Sequence, residues 1–402
     1  MAASVESKGV FARLWIASFF QGLSTGFWFP ALTNILNAEG MGDWVAWAFA
    51  VPPICALISP LVGGALADER VAAQKLLGWC SLISAVLLAC TFCALDAGLG
   101  PLWFLIGMAV YSLVSGPSWG LLATITLGHL GQEGRLYPMV RMGATVGWIS
   151  AGFLTSYALN ADASVLAGYA GAAGRIVCGF LAFQLPHTPP PGLGKSWKSA
   201  LGLDAFSLFR NRDHAVMFIV TGVFSIPLAA FYMYSPEFFE ALGDKTPTAS
   251  MTVAQWSEIT AMIFLGALMV RFRLKTLLMW GLALSALRFG MSGYAGIGGN
   301  VGWHVAGVAL HGVCYTLFFV TAQVYLDRRV DPTMRGQAQG LLSLMAAGIG
   351  PLVGAFFCRW LRAVCVDETG AGWEGFWWTL AAVIAVCWIT FGLFYRGKAV
   401  VN

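Results

Sequence analysis

Apolar stretches about 20 residues or more in length alternate along almost the whole chain with short polar breaks. A helix needs roughly 20 apolar residues to cross a bilayer's hydrocarbon. That pattern predicts twelve spanning helices, at about 11–37, 44–67, 74–95, 101–128, 136–158, 163–185, 213–239, 251–270, 274–296, 302–326, 336–360 and 373–395. The predicted fold is an all-α membrane protein with twelve transmembrane helices in two six-helix halves. The first apolar run is too long for a signal peptide and lacks a small-residue cleavage site, so it reads as a retained span.

One polar break is much longer than the rest. It separates the sixth and seventh spans and reads "LPHTPPPGLGKSWKSALGLDAFSLFRNRD", starting at Leu185. Its Pro/Gly-rich start is a linker, and "LDAFSLFRN" has the pattern of a short amphipathic helix lying at the interface. The organisation is therefore residues 1–185 as the N-terminal half, 186–212 as a cytoplasmic central loop, and 213–402 as the C-terminal half. A two-half transporter is expected to look like this.

Charge orients the array. Of the 23 lysines and arginines, Lys245, Arg359 and Arg362 lie at or beyond span ends on one side, and Arg141, Arg175 and Arg288 lie deeper within spans. The rest lie in the tails and at or beyond span ends on the other side. Cytoplasmic loops carry the Lys/Arg excess, so both termini are expected in the cytoplasm.

Composition narrows the class further. The chain has 402 residues, 58% hydrophobic and only 10% charged, with mean hydropathy +0.74. Soluble domains average about 25% charged residues. A net charge of +4 gives no reason to expect a nucleic-acid partner. The nine cysteines show neither CxxC spacing nor a histidine cluster. No metal or other cofactor is implied, and Cys55, Cys80, Cys90, Cys178, Cys314 and Cys387 fit as small apolar packing residues. No Walker A, HExxH or GxSxG sequence is present, which argues against an enzyme and against a self-contained pump. Active transport would then draw on an ion gradient.

Polar residues within the spans fall into stripes. Arg141, Thr145 and Trp148 are spaced i, i+4, i+7 and share one helix face. Gln255 and Glu258 share a face of the eighth span, and His311 and Tyr315 share one of the tenth. A cationic donor, a carboxylate, an amide, an imidazole and flat rings suit a polar, ring-containing solute. Ionisable groups within a membrane default to function; the lesser alternative is that Arg141 and Glu258 form a structural ion pair. Arg175 and Arg288 belong to no stripe and read as structural or snorkelling. His304 reads as interfacial, and Glu237 as a rim or gate residue.

Other segments carry a resemblance. "GGALADERVAAQ" from Gly63 is similar to the inner-loop motif of the major facilitator superfamily, with Gly64, Asp68 and Arg70 at matching spacing. "SWKSALGLDAFSLFRN", together with "LPHTPP", "RMGATVGW", "QWSE" and "MRGQAQGLL", resembles the nucleoside:proton symporter family within that superfamily. The similarity runs in order over nearly the whole chain.

The resemblance implies a secondary active transporter of the bacterial inner membrane, taking up nucleosides with protons by alternating access. Arg141, Thr145, Trp148, Gln255, Glu258, His311 and Tyr315 then fall on positions of the family's solute site. Glu258 is the candidate for proton coupling, and Asp68 and Arg70 for gating. Several positions depart from the family. Thr316 stands where members carry an acid, Ala229 where a polar contact is expected beside Tyr232, Thr25 for a tryptophan near Gln21, Gly26 and Trp28, and Ala347 for an asparagine. The remaining alternatives are transport of another small polar solute such as a sugar, or a non-transporting receptor. The expected partners are the solute and the lipid bilayer, and the expected state is a monomer.

Overall fold

A computed structural model describes residues 2–59, 67, 70–130, 136–190, 203–331 and 334–397. The described residues are helical throughout, without strands, and each of the twelve predicted segments contains helix. Seven helical passages are long and apolar enough, by length and composition, to cross a membrane. Apolar side chains also cover their outer faces: Val270, Leu393, Ile263 and Leu102 are all exposed. Helices apolar inside and out are what a lipid solvent selects.

The chain divides into two compact units, Met1–Lys195 and Ser196–Asn402. The division falls inside the predicted central connection. In the first unit the helices are α1 (Ala2–Trp28), α2 (Leu32–Ala38), α3 (Val45–Ala56), α4 (Ala73–Asp96), α5 (Pro101–Ser115), α6 (Ser118–His129), α7 (Tyr137–Phe153) and α8 (Leu166–Ala182). In the second they are α9 (Arg212–Ala241), α10 (Pro247–Met251), α11 (Val253–Arg271), α12 (Leu274–Gly298), α13 (Val301–Tyr315), α14 (Thr321–Arg329), α15 (Arg335–Ser343), α16 (Gly350–Cys365) and α17 (Trp373–Phe394).

Local sequence explains the boundaries. Asn211 accepts hydrogen bonds from the Asp213 and His214 amides, capping α9 as the interfacial segment ends. Gly299, at φ +62°, stops α12, and Asn300 caps α13 through the Gly302 amide. The predicted amphipathic helix exists as a 3₁₀ segment, Leu203–Arg210, whose Phe209 packs on Phe218 of α9.

Most of the prolines within the helices do not break them. Pro227 and Pro236 lie inside an unbroken α9, and Pro52 and Pro53 inside α3. Pro117 does mark a break, at the start of α6. The other irregularities are π-helical turns at Leu154–Ala158, Thr316–Val320 and Leu344–Ile349, which continue α7, join α13 to α14 and join α15 to α16.

Three residues outside the stripes have partners within their own units. Arg175 takes the structural one of its two readings. It is buried in the first unit, where Nε donates to Ser84 Oγ at 2.9 Å and Nη2 to Ser118 Oγ at 3.1 Å. His304, in the first turn of α13, is buried beside Phe238, Phe239 and Trp377, with Nδ1 2.9 Å from Ser292 Oγ. Glu237 is clamped by Arg362, whose Nε and Nη2 both donate to its Oε1, tying α9 to α16.

Arg175→Ala should therefore lower the thermal stability of the purified protein by about 2 kcal/mol or more, since charge-assisted hydrogen bonds are worth roughly 1.5–3 kcal/mol each. Solute affinity of the folded fraction should not change. An unaltered melting temperature would show that the Ser84–Arg175–Ser118 network contributes nothing.

Candidate functional site

In the first unit the Arg141 stripe is set by how α7 meets α1. Gly143 and Gly147 of α7 pack on Trp15, Phe19 and Leu23 of α1, and Gly22 and Gly26 of α1 pack on Ala144, Trp148 and Ala151 of α7, a small-xxx-small pair on each helix. A Cβ at Gly22 would overlap the Ala144 carbonyl, and one at Gly147 the Phe19 carbonyl. The backbones thus touch along one face of α7, where Gly143, Ala144, Gly147 and Ala151 are buried.

The same crossing turns the stripe away from α1. Arg141 is exposed, and Thr145 and Trp148 are partly buried. The Trp148 ring meets Phe29 edge-on at 6.2 Å, and Phe29 in turn contacts Trp28 and Phe49. That aromatic chain holds Trp148 without covering it.

In the second unit the two predicted stripes come together. Gly312 of α13 lies directly on α11: a Cβ there would overlap the Glu258 amide nitrogen and the Ala254 carbonyl. The Gly312 amide also donates to Ser257 Oγ at 3.1 Å. Glu258 on α11 is consequently beside His311 and Tyr315 on α13. Glu258 and Tyr315 are partly buried. Gln255, 7% exposed, keeps its Oε1 without a hydrogen-bond partner among the described residues.

His311 is 3% exposed and stacks on Phe231 of α9, with centroids 4.1 Å apart and planes 10° apart. Tyr232 approaches the same imidazole edge-on at 6.1 Å, and Tyr315 lies 6.2 Å away. Glu258, Tyr315 and Arg288 are all within Coulombic reach of the Tyr232 hydroxyl. Three helices therefore converge on an aromatic cage with one carboxylate at its side.

Sequence spacing missed two members of this cage. Phe231 is fully buried and belongs to no polar stripe. Arg288 of α12 is 3% exposed, with its guanidinium carbon 4.9 Å from the Phe231 centroid and 4.1 Å from that of Phe289. The general rule that an intramembrane arginine marks function was the available signal for Arg288; nothing in periodicity could pair it with Phe231.

The family departures also have structural places. Thr316 opens the π-helical turn directly after Tyr315 and is fully buried, and Ala347 lies in the turn joining α15 to α16. Such turns are frequent at functional sites. Ala229 is buried, and Thr25 donates its hydroxyl to the Gln21 carbonyl of its own helix. Of the gating pair, Arg70 is exposed in the turn before α4, and Asp68 lies outside the described residues. Among the described residues no group of His, Cys, Asp and Glu could hold a metal ion.

A family model described as "Nucleoside H+ symporter" matches residues 8–399. Among curated relatives, YegT of Escherichia coli (strain K12) is 32% identical over 413 residues, covering 96% of this chain and 93% of that protein. The xanthosine permease of the same organism is 27% identical, covering 93% of this chain and 92% of its own, and the nucleoside permease NupG is 25% identical, covering 96% of each.

A crystal structure of the nucleoside transporter NupG matches with TM-score 0.88 at 22% identity, over 96% of this chain and all of that one. A D-xylose-proton symporter matches with TM-score 0.75 at 14% identity, over 98% of this chain and 100% of that one. These likenesses give the fold. With the family match spanning nearly its whole length, the chain is a membrane transporter of the major facilitator fold and belongs to the nucleoside H+ symporter family.

Proposed function

We propose that the protein imports nucleosides together with protons, by alternating access, across a bacterial inner membrane with both termini in the cytoplasm. The observation that carries this reading is the aromatic cage of the second unit. It presents stacking faces and polar edges around one ionisable carboxylate, Glu258. A nucleobase is flat, with hydrogen-bonding edges, and its ribose is rich in hydroxyls. Rings that stack and polar groups that fix orientation match both parts.

In this reading Tyr315 shelves the solute and Tyr232 binds its polar edges within the second unit, while Arg141, Thr145 and Trp148 are the solute contacts that the first unit supplies. Gln255 contributes an acceptor from behind. Glu258 is the proton carrier: with Thr316 at the place of the family's acid, it is the carboxylate of the cage. A carboxyl loses proton affinity beside a cation and gains it on burial, so exchange between those surroundings would couple protonation to transport. The proton gradient replaces any bound cofactor. Arg70 and Asp68 would secure the inner face, and the working unit is a monomer.

The test is a binding and uptake panel of purine and pyrimidine nucleosides against pentoses and hexoses, in proteoliposomes at two external pH values. Nucleosides should bind, compete with one another and accumulate faster at low external pH. Counterflow of a sugar alone would assign a different solute, and counterflow of nothing would favour a receptor.

Arg141→Ala should weaken nucleoside affinity about tenfold or more while leaving membrane insertion and folding intact. A charge-assisted hydrogen bond is worth roughly 1.5–3 kcal/mol, which sets that scale. Wild-type affinity in the variant would remove Arg141 from the site.

A further inference from the structure

Two arginines are buried in the helical units, and they are treated differently. Arg175 is satisfied by two serine hydroxyls. Arg288 is equally buried, yet its Nε has no hydrogen-bond partner and no carboxylate lies within ion-pair distance of it among the described residues. Its neighbours are rings, Phe231 on one side and Phe289 on the other. Cation–π contacts recover part of the lost hydration, about 2 kcal/mol when desolvated. Burying an unpaired charge costs several kcal/mol. The fold of the second unit therefore maintains a positive charge that the described residues do not neutralise.

Its position gives that charge a target. Phe231 contacts both the Arg288 guanidinium and the His311 imidazole, so a single ring links Arg288 to the wall of the cage. Its field reaches Tyr232, His304, His311 and Cys314. Glu258, the acid sharing that reach at Tyr232, contributes the opposite sign. When Glu258 carries a proton, its carboxylate no longer opposes the positive field of Arg288.

We propose that Arg288 is a specificity-determining residue, a fixed positive charge behind the Phe231–His311 stack that selects nucleosides whose base is anionic or rich in carbonyl oxygens. Resting on the nucleoside reading above, this adds a preference within that class. An oxopurine that ionises near neutral pH would bring a negative charge into the field of Arg288, and protonated Glu258 would remove the carboxylate's repulsion. A neutral aminopurine gains nothing from the field. Arg288 acts through space and through Phe231, without touching the solute, so it is a positioning charge rather than a ligand.

The experiment compares xanthosine, which ionises near neutral pH, with inosine and adenosine, in purified wild type, Arg288→Met and Arg288→Lys. Affinities are measured by ligand-induced thermal shift and by competition in proteoliposomes. A unit charge acting across about 10 Å at an effective dielectric of ~20 is worth roughly a tenfold or larger change in affinity. Wild type should therefore favour xanthosine at a pH where it is ionised. Arg288→Met should lose about tenfold for xanthosine, with far less change for adenosine, and Arg288→Lys should restore the preference.

A purely structural pin would lower stability and weaken all three solutes alike, which overturns the proposal while leaving nucleoside transport standing. Equal affinity for the three solutes in wild type overturns it in the same way. If wild type binds none of them, the transport reading falls, and this inference with it. Should Arg288→Met fail to fold, the competition in wild type at pH values above and below xanthosine's ionisation decides the matter: a preference independent of the solute's charge refutes the role.

Discussion

Glu258→Gln is expected to abolish proton-driven accumulation of nucleoside while leaving exchange of bound solute intact. Glutamine keeps the shape of the side chain and its place on α11 against Gly312, but it cannot take up or release a proton. One coupled proton moving down a gradient of one pH unit can drive about a tenfold accumulation. The variant should instead level off at equal concentrations on the two sides. Proteoliposomes with an imposed pH gradient measure the first quantity, and counterflow at symmetric pH the second. Gradient-driven accumulation at the wild-type level in Glu258→Gln would show that the carboxylate does not carry the proton. The prediction is sharp because Thr316 leaves the tenth span without the acid that the family carries there. Its buried hydroxyl, at the start of a π-helical turn, cannot substitute in proton transfer at physiological pH.

The architecture was largely legible because lipid imposes one strong rule: backbone polar groups must be satisfied within each span. Twelve apolar runs followed from that rule, and helix occurs in every one. The stripes were legible for the same reason, since helical spacing decides which residues share a face. His311 with Tyr315, and Gln255 with Glu258, could be grouped in this way before any helix had a neighbour. Spacing carries no information across helices, and that is where the reading fell short. The contact of α11 with α13 depends on Gly312, one glycine among 48. The placement of Arg288 behind Phe231 depends on how α9 and α12 pack. The enclosure of His304 by Phe238, Phe239 and Trp377 depends in the same way on contacts between helices. Packing between helices also lets α9 continue through Pro227 and Pro236, where neighbouring helices can satisfy the freed carbonyls.

Gly312→Val should be the most damaging single substitution in the cage, although residue 312 contributes no side chain to it. The new Cβ would fall on the Glu258 amide nitrogen and the Ala254 carbonyl. Both are backbone atoms of a regular helix, so no rotamer change relieves the overlap, and α13 must move away from α11. Overpacking of this kind costs about 1–3 kcal/mol and occasionally more. The displacement also breaks the Gly312–Ser257 hydrogen bond and separates Glu258 from His311 and Tyr315. Misplacing a functional group by about 1 Å can cost 10²-fold in rate, so uptake per folded molecule should fall by about that factor, with a lower melting temperature. Gly312→Ala should show the same defects in milder form, since its methyl alone already meets the Glu258 backbone. Gly266, on the same α11, supplies the control: nothing lies within 4 Å of a Cβ there. Gly266→Ala should leave transport unchanged and raise stability slightly, by up to about 1 kcal/mol, because alanine is the better helix former. Uptake by Gly312→Val equal to that of Gly266→Ala would mean that α11 and α13 do not meet at Gly312, and that the grouping of Glu258 with His311 and Tyr315 is wrong.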